Sequence, residues 1–160
     1  MIKILFVCHG NICRSPMAEF VMKELVRRAG RTAQFAIASA ATSTDEIGAD
    51  VYQGTQEELT RHGIPFSHRH ARQVTREDYD RWDHLVVMDK ANLAAMPGLV
   101  GPDRAGKVRR LLEFAGEARD VADPWYTGDF TTAYRDISRG CEALLKTLCP
   151  DTAPAETKGK

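Results

Sequence analysis

The spacing of apolar positions changes along the chain, and each change marks an element. Residues 3–7 form a short apolar run closed by Gly10, the pattern of a strand covered on both faces of a parallel sheet. Directly after it the spacing turns helical. Met17, Phe20, Val21 and Leu25 share one face, with Ser15 placed as N-cap, Pro16 as first helical residue and Gly30 as stop. Residues 35–39 read as a second strand, 53–62 as a helix stopped by Gly63, and 84–88 as a third, buried strand. Thr75 and Asp78 are spaced as a capping box for a short helix ahead of that third strand. Residues 108–114 read as a fourth strand. Phe130, Tyr134, Ile137, Cys141, Leu144, Leu145 and Leu148 then trace one stripe of a long last helix. Strands alternating with helices predict an α/β fold: a single-domain doubly wound sheet of about four parallel strands with helices on both faces. The domain is expected to span residues 1–150, with 151–160 a mobile tail that has nothing to bury.

Charge and composition narrow the partners. Lysine plus arginine and aspartate plus glutamate stand at 22 each, so no global field draws the protein to nucleic acid or an anionic membrane. Any anion recognition has to be local. No stretch approaches the ~20 apolar residues of a membrane span, and the amino-terminal apolar run is too short for a signal. The expectation is a cytoplasmic protein, a monomer or weak dimer, with its four cysteines (Cys8, Cys13, Cys141, Cys149) kept as thiols.

The local anion site is predicted at residues 6–19, FVCHGNICRSPMAE. A tight loop running from a strand into a helix N-terminus presents backbone N–H groups to an anion. Nucleotide-binding loops need more glycines than this one, which has only Gly10. It offers instead Cys8, five residues, then Arg14 and Ser15: a thiol, a guanidinium fork and a hydroxyl converging on one bound anion. That set describes nucleophilic phosphoryl transfer, because helix N-termini and cations favour the reactive thiolate. The acid for the leaving oxygen is predicted in VADPWY, where Pro124 holds Asp123 extended; Trp125 and Tyr126 follow as candidate walls beside a phenyl ring. Zinc at Cys8, His9 and Cys13 lacks the paired spacing of structural sites, so neither metal nor cofactor is expected. Cys141 falls on the apolar stripe and reads as core, His68 and His70 as a solvated loop.

Cys8-x5-Arg14-Ser15 near the start and Asp123-Pro-aromatic-Tyr near the end resemble the low-molecular-weight protein tyrosine phosphatases. SAATST at 39–44, RHGIPFSHRHARQ at 61–73 and MDKANL at 88–93 resemble the eukaryotic-like branch, so the likeness runs from residue 2 to about 149. The resemblance implies a tyrosine-phosphorylated protein as substrate and Cys8 as nucleophile. Arg14 would grip the phosphoryl oxygens, and the amides of His9, Gly10, Asn11, Ile12, Cys13 and Arg14 would form the cradle. Asp123 would act as acid and then as base. It also implies that Asn11 is tied to Ser15, Ser39 and His62, and that Cys13 can trap oxidised Cys8. Asp45 stands where related phosphatases often carry an aromatic wall residue. Three rivals remain in view. An arsenate reductase needs further thiols, and residues 14–140 hold none. A protein-arginine phosphatase carries threonine where this chain has Ile12. A non-catalytic phosphopeptide-binding module would lack the nucleophile or the acid.

Overall fold

Period-two burial in the first strand organises the fold. β1 (Ile2–Cys8) sends Ile4, Phe6 and Cys8 into one apolar cluster and Leu5 and Val7 into another on the opposite face. A one-residue slip would exchange the two sets, so the register is fixed by burial. The computed structural model describes residues 1–151; residues 152–160, the greater part of the expected tail, lie outside them. Within the described residues, β1 joins β2 (Phe35–Ala41), β3 (His84–Val87) and β4 (Val108–Arg110) in one parallel sheet of order β2-β1-β3-β4.

Helices cover both faces, as a doubly wound sheet requires. α1 (Arg14–Arg28) and the last helix, α6 (Phe130–Leu148), pack Met17, Val21, Ile137, Cys141 and Leu144 against Ile4 and Phe6. On the other face α4 (Lys90–Val100) lays Met96 and Val100 against Leu5 and Val7, with Tyr79 of α3 (Glu77–Arg81) at the margin. α2 (Gln53–Arg61) and the one-turn α5 (Pro124–Thr127) complete the helices. Among the described residues no helix is long and apolar enough to cross a membrane.

Three local expectations are corrected. The fourth strand ends at Arg110, and Leu111–Ala115 form a 3-10 turn. Leu111 and Leu112 both enter the one cluster that holds Ile4 and Phe6, whereas consecutive residues of a strand such as β1 go to opposite faces. Ser15 is not the cap of α1. Cys13 precedes the helix, and the Ser15 hydroxyl is taken up by the loop instead. Pro16, third in the helix, still costs no hydrogen bond, because first-turn N–H groups have no intrahelical acceptor. The Thr75–Asp78 box is half formed. The carboxylate accepts from the Thr75 N–H (2.8 Å), but the Thr75 hydroxyl also donates to it (3.3 Å) rather than capping the helix.

The topology decides where a ligand can sit. From β1 the chain first adds β2 on one side, then returns to add β3 on the other, so a crevice opens at the carboxyl ends of β1 and β3. The loops after these strands meet there, joined by Val121, whose N–H donates to Met88 O (2.9 Å).

Candidate active site

Cys8 closes β1 and Arg14 opens α1, so the intervening residues must turn the chain within a single loop. Asn11 makes the turn with φ 59°, the one non-glycine residue at positive φ among those described. Its side chain compensates. Nδ2 donates to Ser15 Oγ (2.8 Å) and Ser39 Oγ (3.0 Å), and Oδ1 accepts from the Arg72 N–H (3.2 Å). The Ser39 hydroxyl in turn donates to the buried carboxylate of Glu19 (2.6 Å). Cys8 Sγ donates to Ser15 Oγ (3.0 Å), the Ser15 hydroxyl donates to Ala40 O (3.5 Å), and the Ser15 N–H also points at the sulfur (3.4 Å). Cys8 is 3% exposed, at the floor of a cavity of about 120 Å³.

His62 is absent from this network. It follows the end of α2, where its ring stacks on Tyr134 (3.7 Å, 3°) and meets Glu58 (2.8 Å). The further partners of Asn11 and Ser39 are instead the Arg72 N–H and the Glu19 carboxylate.

Arg14 is 2% exposed and held from three directions. Nη1 donates to Asp89 Oδ2 (2.8 Å) and Val121 O (2.8 Å); Nη2 lies 3.4 Å from Asp123 Oδ2. Burial alone would lower its pKa, but the facing charges of Cys8, Asp123 and Asp89 raise it, so the guanidinium stays charged. Asp89 divides its carboxylate: Oδ1 caps α4 through the Asn92 N–H (2.7 Å), and Oδ2 orients Arg14. The sequence reading did not single out Asp89. Its signal was the Asp-x-x-Asn capping box inside MDKANL.

Asp123 is extended (φ −84°, ψ 111°) and caps α5, its Oδ1 accepting from the Trp125 N–H (3.1 Å). The structure thus brings Cys8, Arg14 and Asp123 to one cavity across more than a hundred residues of sequence. His9, Gly10, Ile12, Cys13, Asp45, Glu46, Trp125 and Tyr126 line its wall. Asp45 accepts from His9 Nε2 (2.8 Å) at the mouth, and Glu46 stands over Gly10. Trp125 is 51% and Tyr126 82% exposed. Trp125 is propped edge-on against Tyr52 (5.1 Å), which stacks on Phe130 (5.8 Å). Gly54 makes room for that ring: a Cβ there would sit 2.6 Å from Phe130 Cζ. Tyr52 and Glu46 were also not foreseen from sequence.

The other thiols behave differently. Cys13 is buried, and desolvation, aided by the charges of Cys8 and Asp123, pushes its pKa up to about 12. Cys141 is wholly buried, its pKa raised by desolvation, and with Cys149 it belongs to the core. A larger groove of about 510 Å³ between α1 and β2, lined by Phe20, Phe35, Ile37 and Phe66, contains none of the foreseen site residues.

The sequence profile described as low molecular weight phosphotyrosine protein phosphatase matches residues 3–153. A low molecular weight protein-tyrosine-phosphatase of Bacillus subtilis, YfkJ, is 39% identical over 150 residues, covering 92% of this chain and 96% of that protein. Its crystal structure superimposes with a TM-score of 0.90 at 38% identity, covering 96% and 98% of the two chains. A low molecular weight phosphotyrosine protein phosphatase of Pongo abelii is 39% identical over 148 residues, 89% of this chain and 93% of that one. A Drosophila arginine phosphatase shares the fold at 29% identity, with a TM-score of 0.83 over 94% and 99% of the chains.

Proposed function

Because the chain belongs to the low molecular weight phosphotyrosine protein phosphatases, and is therefore a phosphoric monoester hydrolase acting on phosphotyrosine, we propose the following division of labour in its cavity. Cys8 Sγ attacks phosphorus and the aryl–oxygen bond to phosphorus breaks, leaving a phosphocysteine. Asp123 delivers its proton to the departing phenolate. Water then attacks the phosphocysteine, giving a proton back to Asp123, and inorganic phosphate leaves with Cys8 restored as thiolate.

The observation that carries this reading is the commitment of Arg14. Both Nη1 hydrogens are bound to Asp89 and Val121, and Nη2 makes only a long contact to Asp123 (3.4 Å), so the Nε–Nη2 edge is the one offered to two phosphoryl oxygens. A guanidinium held before substrate arrives stabilises the charge of the transition state without reorganising. Ser15 is suited to the departing thiolate in the second step, since its Oγ lies 3.0 Å from Sγ and can turn its hydroxyl hydrogen to the sulfur once the thiol proton is gone. Trp125 and Tyr126 supply ring contacts above the phosphate, and the apolar Ile12 favours an aryl over a guanidino phosphate.

Phosphotyrosine, phosphoserine and phosphoarginine peptides assayed side by side test the substrate class. Faster turnover of phosphoarginine than of phosphotyrosine would replace this reading. Asp123→Asn tests the acid. Phenyl phosphate turnover should fall by about 10²-fold or more, and p-nitrophenyl phosphate far less, because the nitrophenolate leaves with little need of a proton. Equal losses would remove Asp123 from that role.

Asp45 and Glu46 give the mouth an acidic side, and we assign them a part in choosing flanking residues. Matched phosphotyrosine peptides should show basic neighbours preferred over acidic ones by up to about fivefold, the range of an exposed charge pair. High salt or Asp45→Asn should narrow the gap. A gap that survives both would take Asp45 out of the wall.

A further inference from the structure

The inner side of the phosphate loop holds the nucleophile; the outer side is packed against the guanidinium of Arg69. The Arg69 backbone N–H donates to Asp50 Oδ1 (3.0 Å), which anchors the residue beside the loop. Nη1 donates to Ala49 O (3.2 Å) and Nη2 to Asn11 O, while Nε is buried without a partner among the described residues. In a half-buried cation, a buried donor without a partner is a cost that its other hydrogen bonds must offset.

Those bonds fall on the one residue of the loop with a left-handed backbone. In a trans peptide the carbonyl and the next N–H point in opposite directions. Drawing Asn11 O outward to Arg69 therefore turns the Ile12 N–H inward, to the side where a phosphoryl oxygen would bind. Asn11 itself is braced on the same side, by the Arg72 N–H to its Oδ1 (3.2 Å). The bond to Ala49 O ties the loop to the segment that ends the Asp45–Glu46 wall.

We propose that Arg69 is a positioning residue for phosphoryl transfer: it holds the Asn11–Ile12 peptide in the orientation that presents an N–H to the phosphoryl group, and it places a fixed positive charge behind the cradle. Burial lowers the pKa of this guanidinium, and Glu19, Cys8 and Asp50, the charges that face it, offset only part of that shift. The proposal rests on the phosphocysteine reading for the meaning of the cradle, yet it can be tested without turnover.

Cys8 can be alkylated with iodoacetate across a pH series, with and without inorganic phosphate as protecting ligand, in the parent, Arg69→Met and Arg69→Lys proteins. Arg69→Met should weaken phosphate protection about tenfold, the worth of one hydrogen bond to a charged group, and move the alkylation midpoint to higher pH. Arg69→Lys keeps the charge but reaches at most one carbonyl. It should restore the parental midpoint while protection stays several-fold weaker. A folded Arg69→Met protein with parental midpoint and protection overturns the proposal, as does a folded lysine variant with no recovery of the midpoint. If the methionine variant does not fold, the lysine variant decides alone, and parental phosphate protection in it refutes the clamp. Failure of the phosphatase reading would look different: a parent protein that binds phosphate but hydrolyses no aryl phosphate.

Discussion

Cys8→Ser is expected to lower turnover of p-nitrophenyl phosphate by about four orders of magnitude or more while leaving phosphate binding nearly intact. The loop is held by Asn11, Ser15, Ser39 and Glu19, none of which needs the sulfur, and a serine hydroxyl can occupy the same place beside Ser15 Oγ. A hydroxyl at neutral pH is simply a poor nucleophile. The nearest substitute is Cys13, which lines the same cavity. Burial, the main cause of its raised pKa, persists in the variant and keeps it a thiol, too little ionised to rescue the reaction. Steady-state rates with calorimetric phosphate binding check both halves. Residual turnover above about one per cent of the parent would point to a second nucleophile.

Arg14→Lys is expected to lower kcat by about 10²- to 10³-fold, the usual worth of a preorganised donor to a developing oxyanion. Charge is conserved in this change, but geometry is not. Lysine cannot satisfy Asp89 Oδ2 and Val121 O and still present two parallel donors to phosphate. Asp89 keeps its cap on α4 through Oδ1, so the fold should survive, and the melting temperature measured beside the rates separates the two effects. A lysine variant within tenfold of the parent would mean that positive charge alone suffices and that the fork is incidental.

What the sequence disclosed, and what it hid, follows from distance along the chain. Residues 8–15 carry the nucleophile, the cradle and the guanidinium within one loop, so their chemistry is written locally. β1, β2, α2, β3 and α6 are legible because each buries one face or both, and burial imposes a period on the apolar positions. α4 carries no comparable stripe: Pro97 and Gly98 interrupt it, and its start depends on the Asp89–Asn92 box. The Leu111–Leu112 pair looks like strand because apolar runs do not declare their backbone angles. Asp89 and Val121 reach Arg14 only through the strand order, 75 and 107 positions away, and no local pattern encodes that meeting. His62 shows the converse error. A resemblance placed it by the loop, whereas the Tyr134 ring and the Glu58 carboxylate hold it at the far end of α2.

The same long reach of Arg14 sets the order of events as the protein is made. Synthesis delivers the loop first, with its cysteine and arginine, and Val121 and Asp123 only after most of the sheet has been translated. Until then the guanidinium lacks two of its three partners, and α6, which must close over α1 to bury this face of the sheet, does not yet exist. The cavity that joins Cys8, Arg14 and Asp123 is therefore complete only once the chain has been made through α5.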